Sequence, residues 1–425
     1  MKVLLISANR TEINMRTMPL GLAFVAQALT DRHHSVKMID CVGIDDIESY
    51  IKGAIEELGP DIIGISIRNI DDQTMLNTRF LYEDDREIIA LVRRLSDRPI
   101  ILGGAGYSMF PDAILADSDA DMGIEGEGEA ALSMLLEKFE RGESVEGIPG
   151  LHIKGRTAVE PRQFIKDTRS FQYPDPQYVV GQPVTPDTWV PVQTRRGCAM
   201  NCSYCSTASI EGRALRKRPI ESVVEWIGQL VRAGARQLYF VDNTFNLPRS
   251  YALSLCRAMT DAGLNVKWRC IVYPWRIDEE LVAAMAAAGC FEVSLGSESA
   301  DDEVLRLMHK RFRRDDVAYA SRLLKKYNIT QMGFLMLGAP GETRQSVLDT
   351  LDFAASLEFD ALKVTVGIRI YPNTTLAEEA RKQGIIGPDD NLLRPRFYIT
   401  PGLDEKWIRE TAAMYAAKHP NWITS

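Results

Sequence analysis

Three of the seven cysteines fall within eight residues. The stretch Arg195-Arg196-Gly197-Cys198-Ala199-Met200-Asn201-Cys202-Ser203-Tyr204-Cys205 spaces them as C-x3-C-x2-C. Thiolates ligate zinc or iron–sulfur clusters. A closed zinc site needs a fourth protein ligand, normally from a second Cys or His pair. None sits nearby, because His33, His34, His152, His309 and His419 are scattered along the chain. Three thiolates on one loop leave a metal position open. An open iron of a [4Fe–4S] cluster can bind a substrate or a cofactor. Cys198, Cys202 and Cys205 are therefore the expected metal ligands.

Such a loop must be carried by rigid elements. From Trp189 onward, apolar runs of strand length alternate with helical stretches. The strand candidates are Val190–Thr194, Gln237–Val241, Lys267–Ile271, Phe291–Ser294, Gln331–Leu337 and Lys363–Ile370. Helices such as Ile220–Ala233, Leu281–Ala288 and Thr343–Leu357 lie between them. Six units of this kind predict a partial (β/α)6 barrel, with functional groups at the carboxyl ends of its strands. Residues 1–145 alternate in the same way, with strands at Lys2–Ser7, Val36–Asp40, Asp61–Ile67, Pro99–Leu102 and around Met122–Gly123. The expected helices there are Leu20–Leu29, Ile44–Leu58, Arg86–Leu95 and Ala130–Phe139. That pattern predicts a Rossmann-like, doubly wound parallel sheet, which binds ligands beyond its strand ends. Prolines punctuate 146–185, including Pro149, Pro161, Pro174, Pro176 and Pro183, and mark a linker wrapping a surface. The barrel occupies 186–390, and 391–425 form a short C-terminal appendage. The fold class is α/β throughout.

Composition narrows the function. A 425-residue chain with 45% hydrophobic and 25% charged residues is an ordinary globular protein. Its net charge of −8 gives no electrostatic footprint for nucleic acid. No apolar run reaches the ~20 residues that span a bilayer. The opening MKVLLISANRTEINM turns polar too soon for a signal peptide and reads as a buried strand. A cytoplasmic protein with no membrane partner is expected.

C-x3-C-x2-C with an aromatic residue, Tyr204, before the last Cys resembles the radical S-adenosylmethionine (SAM) superfamily. The resemblance implies that the three Cys hold a [4Fe–4S] cluster whose fourth iron is chelated by SAM. One electron then cleaves SAM to a 5′-deoxyadenosyl radical, which abstracts hydrogen. Further segments agree in order. Asp242-Asn243-Thr244-Phe245 resembles the segment contacting the SAM amino group through backbone carbonyls and polar side chains, with an Asp-capped strand-end turn as the alternative. Leu295-Gly296-Ser297-Glu298-Ser299 resembles the G-x-E-S segment near the SAM ribose and carboxylate, and a helix cap there would be compatible. Gly333–Gly341, with Glu342-Thr343, resembles the adenine-binding strand, where glycine lets a flat base approach. Tyr204, Asp242, Asn243, Ser297, Glu298 and Gly338 are the cofactor contacts this implies. The resemblance spans about 186–400.

The first half resembles the cobalamin-binding domain fused to many radical SAM enzymes. Its markers are Pro19-Leu20-Gly21-Leu22, Pro60–Ser66, Gly103-Gly104 with Pro111, and Glu125–Glu129. The implied corrin lining is Ser7, Asn9, Arg10, Ser66, Arg68, Asn69, Gly104, Ala105, Gly106, Tyr107, Ser108 and Glu127. The D-x-H-x-x-G motif that supplies a cobalt-ligating His in some such domains is missing, and His33-His34 reads as a helix end. Gly103-Gly104-Ala105-Gly106 follows the fourth strand and is not G-x-G-x-x-G, so it does not point to NAD.

The function implied is a cobalamin-dependent radical SAM methyltransferase acting on a small metabolite, with a flavodoxin- or ferredoxin-like reductant. Cobalamin-independent chemistry on the same scaffold is the alternative: ring formation, rearrangement or 3-amino-3-carboxypropyl transfer. A non-catalytic iron–sulfur or corrinoid carrier is a third reading. Other features stay open at this level. Arg195-Arg196 either steady the cluster or are a solvated pair, and Arg213–Arg218 are a solvated loop or an anion contact. Trp268, Tyr273, Trp275 and Tyr371 either pack or wall the substrate pocket. Asp71-Asp72 and Asp84-Asp85 read as loop caps and turns. Cys41, Cys256, Cys270 and Cys290 read as small buried hydrophobes, with Cys270 on a barrel strand that could face inward.

Overall fold

The computed structural model describes residues 1–11, 18–179 and 188–424. Pro183, Pro186 and the expected start of the barrel at 186 lie outside these residues. The chain divides into two compact units. The first comprises 1–72, 79–184 and 209–212; the second comprises 73–78, 185–208 and 213–425.

The first unit carries β1 Lys2–Ser7, β2 Ser35–Asp40, β3 Ile62–Ser66, β4 Ile100–Gly103, β5 Met122–Ile124 and β6 Leu151–Ile153. Their order in the sheet is β2-β1-β3-β4-β5-β6. All neighbours are parallel except β5 and β6. Successive side chains of a strand leave on opposite faces. Val3 and Leu5 therefore pack with Leu22, Ala26, Leu132 and Leu136 from the helices Leu20–Thr30 and Gly128–Arg141. Leu4 and Ile6 are equally buried on the other face, the side left for the helices Ile47–Leu58 and Tyr82–Leu95. Burial on both faces explains why KVLLIS reads as a continuous apolar run. Each such side chain contributes about 1.5–3 kcal/mol.

Two expectations are corrected here. The stretch 146–185 is not simply a linker, since β6 pairs Met122 with Ile153 and Ile124 with Leu151 and covers an otherwise open sheet edge. Asp85 does not sit in a turn. It lies in the first turn of Tyr82–Leu95, is buried, and burial pushes its carboxyl well above the usual range.

In the second unit, β7 Trp189–Val192 is followed by the short β8 Arg195–Arg196 and β9 Arg216–Lys217, an antiparallel ribbon. Then come β10 Gln237–Phe240, β11 Lys267–Val272, β12 Cys290–Glu298, β13 Thr330–Leu337 and β14 Ala361–Val366. The small pair β15 Ile368–Arg369 and β16 Phe397–Tyr398 precedes β17 Trp422–Thr424. The main sheet is seven-stranded, ordered β17-β14-β13-β12-β11-β10-β7, and parallel throughout. Along β13, residues 331, 333, 335 and 337 are buried while 330, 332, 334 and 336 stay partly accessible. One face of the sheet is sealed by helices and the other is left for ligands.

The C-terminal stretch is not an appendage. β17 pairs Leu362 with Trp422, and Asn421 donates to the Phe359 carbonyl at 2.7 Å. A three-residue strand is too short to announce itself by periodicity. Cys270 does not face inward either. It shares the sealed layer with Cys256 of the helix Arg249–Asp261 and with Cys290, and burial raises the Cys256 and Cys270 thiols.

Candidate functional site

The cysteine loop leaves the sheet after β7 and turns at Gly197, whose φ of 87° favours glycine. Cys198 is buried, Cys202 and Cys205 are half-buried, and none of the three is in a disulfide. The backbone is pinned from several sides. Ser203 N donates to the Met308 carbonyl at 3.0 Å, and Leu376 N donates to the Ser203 carbonyl at 2.8 Å. His309 Nδ1 donates to the Asn201 carbonyl at 3.1 Å, and the Cys205 thiol donates to Thr207 Oγ1 at 3.3 Å. Among the described residues no three His, Cys, Asp or Glu side chains group as a single-ion site. Zinc would need such convergence, with each sulfur ~2.3 Å from one ion. A cubane gives each thiolate its own iron, so its ligands need not converge on one point. The donor set fits such a cluster.

The Asp242 side chain braces the cysteine loop. Its carboxylate accepts from Thr194 N at 2.8 Å, Thr194 Oγ1 at 2.6 Å and Arg195 N at 3.1 Å. Arg195 Nη2 lies 3.4 Å from the same carboxylate. Both side-chain oxygens are thus used to anchor the start of the cysteine loop, which leaves only the backbone carbonyl for a cofactor. Arg195 is not a solvated residue: its guanidinium is buried and donates to the carbonyls of Leu247 at 2.5 Å and Phe245 at 2.8 Å. Arg216 and Arg218 are buried too, in and beside the ribbon that carries Arg195, while Arg213 and Lys217 are exposed, so the basic run is solvated only in part. Asn243 is half-buried at the end of this turn.

The end of β12 is shaped by a bulge. Gly296 opposes Phe334 and Glu298 opposes Leu335, so Ser297 is the extra residue. A bulge re-aims the side chain that follows it. Glu298 takes φ +60°, a left-handed conformation costly outside glycine and characteristic of functional sites. Its Oε1 accepts from the Tyr204 hydroxyl at 3.0 Å and from Lys310 Nζ at 2.8 Å. Lys310 Nζ also donates to the Tyr204 hydroxyl at 2.8 Å. Burial opposes the Lys310 charge, yet Glu298, Tyr204 and Cys202 hold its pKa well above the lysine norm. Burial raises the Cys202 thiol, and Lys310 partly offsets this. Ser297 Oγ is buried with no hydrogen-bond partner among the described residues. An unmet hydroxyl beside this triad is a ready contact for a polar ligand. Two expected residues, Tyr204 and Glu298, are thus brought together. Lys310 was not foreseen, because a lysine within His309-Lys310-Arg311 looks like any solvated cation.

Beyond β13, Gly338 turns with φ 98°, and a Cβ there would sit 3.1 Å from Ile399 Cγ1. Glu342 folds back on this turn and accepts from Gly338 N and from Ala339 N, the latter at 3.1 Å. Burial pushes the Glu342 carboxyl up to about 7 despite those two donors. The folded chain therefore holds the proton more tightly than the unfolded chain, and stability falls as pH rises through about 7. Glu342→Gln keeps the shape and removes the titration. It is expected to flatten this fall and to raise stability at alkaline pH by about 1–3 kcal/mol. Denaturation midpoints across pH provide the check, and parallel curves for the two proteins would contradict it.

In the first unit, Ser7, Ser66 and Gly103 are register neighbours at the carboxyl ends of β1, β3 and β4. Asp40 extends this row on β2. Asn9, Arg68 and Asn69 follow on the strand-end loops. Gly104, at φ 98°, lets the next helix begin so close to β3 that a Cβ would meet the Ile67 carbonyl at 2.4 Å. At Gly106 a Cβ would lie 3.1 Å from the Arg68 carbonyl. Three of the expected lining residues turn away. Tyr107 is fully buried, its hydroxyl occupying the space that a Cβ on Gly123 would need. Ser108 Oγ donates to the Gly104 carbonyl at 2.8 Å and accepts from Gly126 N at 2.9 Å. Glu127 accepts from Ile165 N at 2.7 Å. Alternation within a five-residue helix cannot be read from sequence, which is why Tyr107 and Ser108 were placed in the cleft.

A buried charged group lies under this helix. His152 bridges Asp112 Oδ1 at 2.9 Å and Glu125 Oε2 at 3.3 Å, and Arg162 pairs with Glu125 at 3.0 Å. It explains the Glu125 marker structurally: despite the opposing effect of burial, the His152 hydrogen bond and the Arg162 charge hold its carboxyl below the usual range.

Comparison with known proteins agrees with this geometry. The B12 binding domain model matches residues 6–136, and the Radical SAM superfamily model matches 192–354. An uncharacterised methyltransferase of Pyrococcus horikoshii is 28% identical over 89% of this chain and 83% of its own length. The cytidylyl-2-hydroxyethylphosphonate methyltransferase of Streptomyces wedmorensis is 23% identical over 98% of this chain and 89% of its own length. The solved structure of the radical SAM methyltransferase TsrM from Kitasatospora setae, with cobalamin and a [4Fe–4S] cluster bound, superposes with a TM-score of 0.88 at 23% identity. That match covers 99% of this chain and 92% of the TsrM chain and establishes a shared fold. Residues 192–354 thus match the radical SAM superfamily, and residues 6–136, ahead of them, match the B12 binding domain.

Proposed function

We propose that the protein is a cobalamin-dependent radical SAM methyltransferase acting on a small molecule. The observation that carries this reading is the three-thiol loop held beside Glu298, Tyr204 and Lys310, in a chain that also matches the B12 binding domain. Relatives named methyltransferases, aligned over most of both chains, support it. When bound, the cluster supplies the electron that breaks SAM, and the corrinoid carries a methyl group between donor and acceptor.

The chain's own residues do the rest. Cys198, Cys202 and Cys205 would hold three irons. Glu298, re-aimed by the bulge, and the unmet Ser297 hydroxyl would contact the polar end of SAM, and the Gly338 turn would leave room for its base. Asn243 and the Asp242 carbonyl border the same place. Ser7, Asn9, Ser66, Arg68, Asn69, Gly104 and Gly106 form the strand-end row that would hold the corrin. Hydroxyls, amides and a guanidinium suit its amide fringe. An external one-electron donor such as a flavodoxin or ferredoxin is required. Seven cysteines without a disulfide fit a reducing cytoplasm. No helix among the described residues is long and apolar enough to cross a membrane.

Incubating the anaerobic, reconstituted protein with SAM, hydroxocobalamin and a strong reductant tests the reaction class. S-adenosylhomocysteine together with 5′-deoxyadenosine is the expected product pair. Methylthioadenosine in their place would establish aminocarboxypropyl transfer and remove the methyltransferase reading.

A further inference from the structure

We propose that Lys310 is a positioning residue of the iron–sulfur centre, an ammonium fixed against the Cys202 sulfur that makes the cluster easier to reduce. The inference rests on the reading of Cys198, Cys202 and Cys205 as cluster ligands. Lys310 sits between the helices Asp302–Leu307 and Arg314–Lys326, and its side chain is only 4% exposed. A lysine side chain gives up as much as ~2 kcal/mol of rotamer entropy when held still. Desolvating its charge costs several kcal/mol more. Nothing in sheet or helix packing requires that expenditure at this position.

The surroundings show what the ammonium is held for. It has three donors and no acceptor. One goes to Glu298 Oε1 and one to the Tyr204 hydroxyl, both at 2.8 Å. The Cys202 sulfur is within reach of the third. The rings of Tyr204, Tyr273 and Phe312 surround the charge at 5.0, 5.8 and 5.8 Å. Each partner is itself fixed. Tyr273 accepts from Arg311 N at 2.9 Å, Glu298 is set by the bulge at Ser297, and Tyr204 lies within the cysteine loop. This box is rigid, largely dry and centred on one positive charge next to a ligand sulfur.

A positive charge beside a thiolate withdraws electron density and offsets the electron that reduction adds. Charge and hydrogen bonds to sulfur are among the factors that set cluster potentials. The Glu298 carboxylate, in the same box, acts in the opposite sense. The two charges therefore make predictions of opposite sign. In the full-length reconstituted protein without SAM, Lys310→Met is expected to shift the cluster midpoint potential to more negative values. Glu298→Gln is expected to shift it to more positive values, with the double variant between the two. Lys310→Arg keeps the charge and is expected to stay closer to wild type than Lys310→Met.

Redox titration followed by electron paramagnetic resonance, with iron counted on each sample, reads these shifts. Loss of iron from Lys310→Met but not from Lys310→Arg also supports a charge acting on the cluster. Equal potentials in all variants, shifts of the same sign in Lys310→Met and Glu298→Gln, or loss of iron from Lys310→Met and Lys310→Arg alike would overturn the proposal. Wild-type protein that takes up no iron would instead overturn the cluster reading beneath it.

Discussion

Asp242→Ala is expected to destabilise the protein by about 3–5 kcal/mol, because removing one partner of a buried ion pair leaves the other charge unmet. Asp242 and Arg195 are both essentially inaccessible. The carboxylate also accepts from Thr194 N, Thr194 Oγ1 and Arg195 N, so its loss strands three donors as well as the guanidinium. Arg195 in turn holds the Phe245 and Leu247 carbonyls. The damage therefore reaches both the base of the cysteine loop and the turn after β10. Iron uptake is expected to fall with stability. Asp242→Asn retains one acceptor oxygen and should recover part of the loss. Chemical denaturation of the three proteins, with iron counts, measures this. An Asp242→Ala protein with an unchanged midpoint would show that the anchor carries no weight.

The second large effect is expected at Gly104. An alanine Cβ there would lie 2.4 Å from the Ile67 carbonyl and 2.8 Å from Ser66 Oγ. The φ of 98° is itself costly for any L side chain, by roughly 1–2 kcal/mol. Overpacking against backbone adds roughly 1–3 kcal/mol. The strand end cannot yield cheaply, since Ile67 N donates to Gly103 O at 2.8 Å and Gly106 N donates to Ile67 O at 3.0 Å. Movement of Ile67 would carry Ser66, Arg68 and Asn69 with it. Gly104→Ala is therefore expected to cost about 2–5 kcal/mol and to weaken hydroxocobalamin retention at least tenfold. Gly53→Ala is the control. It lies in the helix Ile47–Leu58, its Cβ meets nothing within 4 Å, and it should be neutral or slightly stabilising. Equal cobalamin retention by the two variants would contradict the placement of the corrin site.

Much of this was legible in the residues. Strand positions followed from apolar runs because both sheets are buried on at least one face, and helix positions followed from the 3.6-residue period. The cysteine spacing announced a cluster loop before any fold was known. What escaped has a physical cause in each case. β6 and β17 are three residues long and are stabilised by the edges they cover, not by their own pattern. Lys310 meets Tyr204 across 106 residues of sequence, a distance at which no local pattern speaks. Tyr107 and Ser108 share a short helix with the cleft-forming glycines, and only the packing of that helix decides which residues turn inward. Asp242 was identified correctly as a residue that matters at the strand end, but a carboxylate that binds a ligand and one that braces a loop look alike in sequence.

The central claim is that one chain holds both an iron–sulfur cluster on Cys198, Cys202 and Cys205 and a corrinoid on its first unit. Counting iron and cobalt on the anaerobically reconstituted, desalted protein tests it most directly, beside the Cys198→Ala/Cys202→Ala/Cys205→Ala variant. About four irons and about one cobalt per chain are predicted for the wild type, with the iron lost and the cobalt retained in the variant. Iron retained by the variant would contradict the ligand assignment, and four irons without cobalt would contradict the cobalamin-dependent reading.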